Sequence, residues 1–312
     1  MRRIPECPYC HTRTPGKAYL AQCGPRCGED ATRFPVSAVV KGRCPHGRAP
    51  KARQVCPACG QAVPRAYTEG RPKVVAVVGE PGSGKSTWLA SVIRRVAKGH
   101  LDDRFPGMSL DVLGEQSRKR YERDRVLVAE TVLPRATEPG PLLVSLRVRP
   151  RIRAMVIAFH DSADLANLEH VDGIVLAVEP EAAGDARLAE AVRGTHPRRR
   201  VSLAVVLTKL DTVWDMIDPG SPLVKPVPPR PGYVLSDGVD VHHETLAWLE
   251  HWNGTDLIGG VQAAFRRHRY FAVTALGDRA DGRREPVAYR VEDPLLWLLA
   301  EFGAIPVLRG IS

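Results

Sequence analysis

The sequence predicts an α/β fold with a mainly parallel sheet, preceded by a small cysteine-rich module. Three observations predict it. All seven cysteines fall between Cys7 and Cys59. From Lys73 onward, short apolar runs alternate with helical stretches, the pattern of a sheet covered by helices. Between 74 and 87 the run VVAVVGEPGSGKST passes from an apolar strand through a glycine-rich turn into a helix start. The chain divides accordingly into a module at 1–62, a linker at 63–72 (VPRAYTEGRP) and an α/β domain at 73–312.

The module carries Cys7 and Cys10 (CPYC), Cys23 with Cys27, Cys44 with His46 (CPH), and Cys56 with Cys59 (CPAC). Crowded CxxC pairs at one end read as metal binding rather than as disulfides spread through a fold. Zinc takes four soft ligands in a tetrahedron, and one CxxC turn supplies two of them. The eight ligands suffice for two zinc ions. The first and last pairs, both similar to zinc-ribbon knuckles, can share one ion, leaving Cys23, Cys27, Cys44 and His46 for the second. A cross-braced pairing satisfies the same count, and His11 is a spare for His46. With few apolar residues, this segment is expected to need metal to fold.

In the α/β domain, near-continuous apolar runs suit strands buried on both faces. They fall at 74–78, 142–148, 154–159, 173–178, 201–207 and 270–274. Helical patterns fall at 85–97, 115–129, 181–193, 241–252, 256–267 and 294–302, and the proline-containing stretch 215–233 reads as a loop or insertion. His242, His243 and Glu244 lack the spacing of a metal motif and read as an exposed helix face. Trp248 and Trp252, four apart on the same helix, read as packing or docking residues.

Gly79-x-x-x-x-Gly84-Lys85-Ser86 matches a phosphate-binding loop between a strand and a helix. Gly82 and Gly84 let the backbone amides turn inward, with Ser83 and Thr87 completing the cradle, and the helix start adds its dipole. Lys85 is placed to neutralise the β- and γ-phosphates and Ser86 to ligate Mg²⁺.

Three further segments resemble GTPase elements, in the expected order. Thr208-Lys209-Leu210-Asp211 resembles [NT]KxD, whose aspartate accepts hydrogen bonds from guanine N1–H and N2 and whose lysine stem packs along the base. Thr274-Ala275-Leu276-Gly277 resembles the SAx element, which points to Ala275 and Leu276 beside the guanine carbonyl. Asp161, in FHDSAD, stands where GTPases carry DxxG and would hold Mg²⁺ through a water. Asp164 replaces the motif's glycine, and no glutamine follows to orient water. Thr137 in LPRATEPG is the best-placed first-switch threonine for Mg²⁺ and catalysis, with Thr131 the runner-up and an ordinary loop threonine the alternative for both.

With VDGIVLAVEP and the tail RVEDPLLWLL, these motifs resemble, from about Lys73 to Val307, the type 2 version of the double-GTPase family. That family occurs in bacterial multi-gene GTPase systems linked to conflict or defence. The resemblance implies a Ras-like phosphate-loop fold, Mg²⁺-dependent binding of GTP and GDP, and protein partners encoded nearby. An N-terminal cysteine-rich element fits it. The family pattern HDxAGED is broken at Asp164, which bears on hydrolysis rather than on binding.

Composition narrows the remaining classes. No apolar run approaches the roughly 18 residues of a membrane span, and MRRIPECPYC has no apolar core of a secretory signal, so the expected compartment is the cytosol. The net charge of +10 admits nucleic acid as a partner, but arginine is scattered and no aromatic platform alternates with the basic residues. Protein partners, reached through the switch loops and the zinc module, are the favoured expectation. The functions that follow are a slow GTPase switch, with Lys85, Mg²⁺ and either His160 or a partner's arginine aiding hydrolysis; a non-hydrolysing GTP-dependent scaffold; or a phosphate-loop ATPase with a fortuitous TKLD.

Overall fold

The computed structural model describes residues 6–15, 19–23, 33–36, 39, 53–70, 72–129, 140–148, 154–162, 165, 171–195, 200–277 and 288–309. Its centre is a seven-stranded sheet of β4 (Lys73–Val78), β5 (Ser109–Val112), β6 (Leu142–Arg147), β7 (Met155–Ser162), β8 (Gly173–Val178), β9 (Ser202–Leu207) and β11 (Arg267–Ala272). The strand order is β11-β9-β8-β4-β7-β6-β5. The pairs from β11 to β7 are parallel, and β6 and β5 add an antiparallel edge. The fold is therefore α/β with a mainly parallel sheet.

The central strands β8 and β9 are buried at every residue. That is why they read as continuous Val/Leu/Ala runs instead of alternating ones. The helices α2 (Lys85–Ala97) and α3 (Glu115–Ala129) fall where helical patterning puts them. The last strand runs over 267–272 rather than 270–274: its first three residues, Arg267, His268 and Arg269, are polar and partly exposed at the sheet edge, so apolarity hides them. The helix expected from 181 begins with a 3-10 turn at Pro180–Ala182, and α4 (Ala186–Arg193) starts where Asp185 caps the Arg187 amide at 2.8 Å. Helix α5 (Leu235–His251) starts earlier than 241, followed by α6 (Thr255–Ala264) and α7 (Asp293–Glu301). Two short strands, β10 (Tyr233–Val234) and β12 (Val307–Leu308), pair in parallel.

Buried Arg290 ties this end together. It bonds Asp293 (2.8 Å) and Asp237 (3.0 Å). Burial works against its charge, yet the hydrogen bonds and the two carboxylates win and hold it above the usual arginine range.

The module contributes a three-stranded antiparallel sheet in the order β2 (Arg33–Pro35), β1 (Leu20–Gln22), β3 (Arg53–Val55). Residues 65–69 in the segment read as a linker form helix α1 (Arg65–Glu69) and bury Tyr67. Period-two alternation explains what that burial meets. On β6 and β7, Leu142, Val144, Leu146, Ile157 and Phe159 join the main core. Leu143, Val156 and Ala158, pointing the other way, pack with Cys7, Tyr19, Cys56, Val63 and Tyr67. The module therefore covers the opposite face of these two strands.

Candidate functional site

The loops that follow β4, β9 and β11, together with the end of β7, meet along one sheet edge, where open α/β sheets take their ligands. Gly79 follows β4 with φ 151°, and a Cβ there would lie 2.4 Å from the Ala177 carbonyl oxygen. Only glycine passes that close beneath the end of β8. Gly84 caps α2 in the left-handed region at φ 83°. Lys85 Nζ donates to the Gly79 and Glu80 carbonyls at 2.7 and 3.0 Å, so the ammonium lies across the loop. The buried Ser83 hydroxyl has no hydrogen-bond partner, which fits a loop whose acceptor is an external anion. Ser86 Oγ donates to Asp161 Oδ2 at 3.2 Å. A hydroxyl and a carboxylate converging beside a phosphate grip suit a hard, oxygen-seeking cation such as Mg²⁺.

The second half of the site is tied to the first. Thr208 Oγ1 donates to the Ser83 carbonyl at 2.7 Å, locking the end of β9 onto the phosphate loop. Lys209 adopts φ 56° and its ammonium pairs with Glu179 at the end of β8. Thr274 Oγ1 donates to the Asp211 carboxylate and accepts the Gly277 amide at 3.1 Å, which closes the turn holding Ala275 and Leu276. Ser91 of α2 reaches the Ala275 carbonyl at 3.5 Å. Gly79, Gly82, Ser83, Gly84, Lys85, Ser86, Thr87, Asp161, Thr208, Lys209, Asp211, Ala275 and Leu276 thus belong to one connected region. Thr131, Thr137 and Asp164 lie outside the described residues.

Adjacent residues of β7 serve opposite faces. Asp161 continues the row of Ile157 and Phe159 and meets Ser86. His160 continues the row of Val156 and Ala158 and meets the module, its ring 5.1 Å from that of His11. The strand's alternation turns His160, a candidate helper in hydrolysis, away from the phosphate grip.

Sequence reasoning missed Arg120 of α3. Its side chain is only 8% exposed, and it donates to the Gly140 carbonyl at 2.8 Å and to Asp161 Oδ2 at 3.4 Å. The signal was present as spacing. Ser117, Arg120 and Asp124, at intervals of three and four, form one buried polar stripe on an otherwise charged helix.

Cys7, Cys10, Cys56 and Cys59 form the one candidate metal group among the described residues, with sulfurs all within 4.8 Å of one another. The Cys7–Cys59 and Cys10–Cys56 sulfurs are each 3.8 Å apart. Zinc–sulfur bonds of about 2.3 Å in a tetrahedron put the sulfurs about 3.8 Å apart, so the cluster fits zinc. Two equivalent knuckles build it. The His11 amide bonds the Cys7 carbonyl and the Gly60 amide the Cys56 carbonyl, each at 2.9 Å, with His11 and Gly60 both left-handed. Burial pushes the Cys7 and Cys59 thiols up. At Cys10 burial pulls the same way, but hydrogen bonds with Thr12, Cys59 and Cys7 together outweigh it and bring the thiol to about 7. Of the second ligand set, Cys23 is buried beside Ala21 and Phe34, while Cys27, Cys44 and His46 lie outside the described residues. His11, the spare ligand, faces His160 instead.

No family model matches this chain. A putative ESX-1 scaffolding and assembly protein, SaeC, of Mycolicibacterium smegmatis is 22% identical over 315 residues, 81% of each chain. Among solved structures, the chain is similar to a bacterial selenocysteine-specific elongation factor, EF-Sec (16% identity, 76% of this chain and 29% of that one, TM-score 0.36). It is also similar to a GTP-binding protein of Sulfolobus solfataricus in complex with GDP (10%, 74% and 53%, TM-score 0.33). The third is Era of Aquifex aeolicus bound to GDP·AlF4⁻ (13%, 78% and 60%, TM-score 0.34). The chain spans from 29% to 60% of the length of these three structures. Among the described residues, no helix is long and apolar enough to cross a membrane.

Proposed function

We propose that this chain binds GTP with magnesium and acts as a slow guanine-nucleotide switch that works through protein partners, in a bacterial multi-protein system of the conflict or defence kind its motifs resemble. The observation that carries the reading is the 2.7 Å bond from Thr208 to the Ser83 carbonyl, which ties the glycine-rich loop to the segment that carries Asp211. Lys85 compensates the charge of the β- and γ-phosphates, and Ser86 and Asp161 hold the magnesium. Asp211, oriented by Thr274, accepts the paired N–H donors that guanine has and adenine lacks. In sequence, Asp164 replaces the glycine whose amide meets the γ-phosphate in GTPases, and that replacement supports slow turnover. Zinc on Cys7, Cys10, Cys56 and Cys59 makes the module a rigid docking head.

A second reading is a GTP-dependent scaffold that does not hydrolyse. The relative named for scaffolding and assembly in Mycolicibacterium smegmatis favours it, as do Asp164 and the absence of a following glutamine.

The test is an equilibrium titration with GTP, ATP and XTP on the wild type, Lys85→Ala and Asp211→Asn. Wild type is expected to prefer GTP over ATP by at least about 100-fold, roughly two good hydrogen bonds to a charged acceptor. Lys85→Ala loses most nucleotide affinity. Asp211→Asn moves preference from GTP to XTP, and an unchanged base preference sinks the guanine assignment. Phosphate release by the wild type separates the switch from the scaffold.

A further inference from the structure

Arg120 has no role in the site as read from sequence, yet it is a buried cation in contact with it. Helix α3 lies between the edge strands β5 and β6 and packs on α2, the helix that begins in the phosphate loop. The stripe Ser117–Arg120–Asp124 faces inward. Ser117 Oγ donates to the Pro141 carbonyl (3.1 Å) and accepts the Leu143 amide (3.0 Å), which pins the helix to the start of β6. Arg120 is anchored on the Gly140 carbonyl through one terminal nitrogen, and the other reaches Asp161 Oδ2, the same oxygen that accepts from Ser86. Its Nε is buried without a hydrogen bond, and the nearest acidic oxygen, on Asp124, is 3.6 Å away. A guanidinium has five N–H donors, and a buried donor without an acceptor is costly. This one is held with donors to spare at the edge of an anion grip.

The charge balance says what those donors are for. Asp161 is partnered by the Ser86 hydroxyl and the Arg120 guanidinium. Ser86 and Asp161 would hold a magnesium ion, whose charge would take the place of the guanidinium at that carboxylate. A bound nucleoside triphosphate would bring phosphate oxygens to the same loop, and the released guanidinium has donors to meet them. Anchorage on Gly140 limits the side chain to a short swing.

Resting on the guanine-nucleotide reading above, we propose that Arg120 is an in-chain arginine for the γ-phosphate, passing from Asp161 to the terminal phosphate when GTP and magnesium bind. It distinguishes GTP from GDP and supplies the positive charge that an arginine from a partner supplies in trans. Hydrolysis needs nothing else of it. The water oxygen bonds to the γ-phosphorus as the bridge to the β-phosphate breaks, giving GDP, inorganic phosphate and one proton. Arg120 donates hydrogen bonds and no atom.

The experiment uses the full chain, zinc-replete, as wild type, Arg120→Lys and Arg120→Gln. Each is titrated with GDP, with a non-hydrolysable GTP analogue, and with GDP plus aluminium fluoride, all in magnesium, and each is checked by thermal melting. Lysine keeps the charge but loses the planar fork, and glutamine keeps hydrogen-bonding capacity without charge. Both variants are expected to bind GDP within about threefold of wild type. Both should lose at least about tenfold for the GTP analogue and for the fluoride complex, and any phosphate release should fall about 100-fold or more. Equal losses for GDP and the GTP analogue, or an unchanged ratio between them in either folded variant, overturn the proposal. If wild type binds neither guanine nucleotide, the guanine reading itself fails. If it binds both without hydrolysis, the affinity ratio still decides the role of Arg120.

Discussion

At the scale of single residues, the site depends on a few side chains that hold backbone rather than touch ligand. Thr208 is one. Its buried hydroxyl reaches the Ser83 carbonyl, with the Val178 carbonyl at 3.3 Å also within range. Thr208→Ala removes that donor and leaves a phosphate-loop carbonyl without it, a loss on the order of 1–2 kcal/mol. GTP affinity in a fluorescence titration should fall about tenfold while base preference, which Asp211 carries, stays as it was. Thr208→Ser, which keeps the hydroxyl, should recover most of the loss. If Thr208→Ala binds as tightly as wild type, the tether is incidental.

At the scale of elements, helix α5 meets strand β11 through histidines that lexical motif searching would pass over. His242 is half-buried, and its Nδ1 accepts the Tyr270 amide of β11 at 3.2 Å, which requires the neutral ring protonated at Nε2. Burial first, then Arg269, His243 and His268, push it down to about 4 from an ordinary value of 6.5. A depressed histidine is neutral in the fold and protonates more readily when unfolded. Its contribution to stability is therefore fully present above about pH 6.5 and is lost as pH falls through 4. Melting temperature recorded from pH 7 down to 4 should drop, and His242→Gln, which can accept the same amide, should flatten that slope. Equal slopes in the two proteins would place the acid sensitivity elsewhere. On the same helix, Trp248 and Trp252 stack with ring centroids 4.9 Å apart, so at least part of their apolar surface is spent on each other.

At the scale of the whole molecule, the four-cysteine cluster packs on one face of β6 and β7, and Asp161 near the end of β7 leaves the other face to meet Ser86. Tyr67, from the segment between them in sequence, is 1% exposed in the cluster that joins Cys7 and Cys56 to Leu143, Val156 and Ala158. Tyr67→Ala should cost on the order of 3 kcal/mol, the scale of a deleted buried aromatic. Zinc removal by a chelator should act in the same place, because the knuckles supply the other half of that packing. Loosening this face of β7 is expected to disturb the strand that carries Asp161 near its end. Chelation is therefore expected to lower melting temperature and speed nucleotide release several-fold in stopped flow. A chelated protein that melts earlier but releases nucleotide at the same rate would show the two faces to be mechanically independent.

The amino-acid sequence by itself determined most of the elements and marked the residues of the candidate site. Residues 73–78 and 85–97 declare a strand and a helix because burial on both faces and the 3.6-residue period leave direct marks on residue order. The glycine-rich loop is legible because only glycine tolerates the geometry at Gly79 and Gly84, and the paired CxxC knuckles because their spacing is that of tight turns that present two thiols together. The start of β11 was hidden because an edge strand can afford Arg267, His268 and Arg269. The edge strand β5 was hidden for a similar reason, since SLDV is no apolar run. Tertiary structure alone decided which cysteine pairs meet, that β7 sends Asp161 to one face and His160 to the other, and that Arg120 reaches Asp161 from 41 residues away. Such contacts leave no periodic trace in the sequence. They arise where separate elements converge, and their partners are chosen by strand order and side-chain direction rather than by neighbours along the chain.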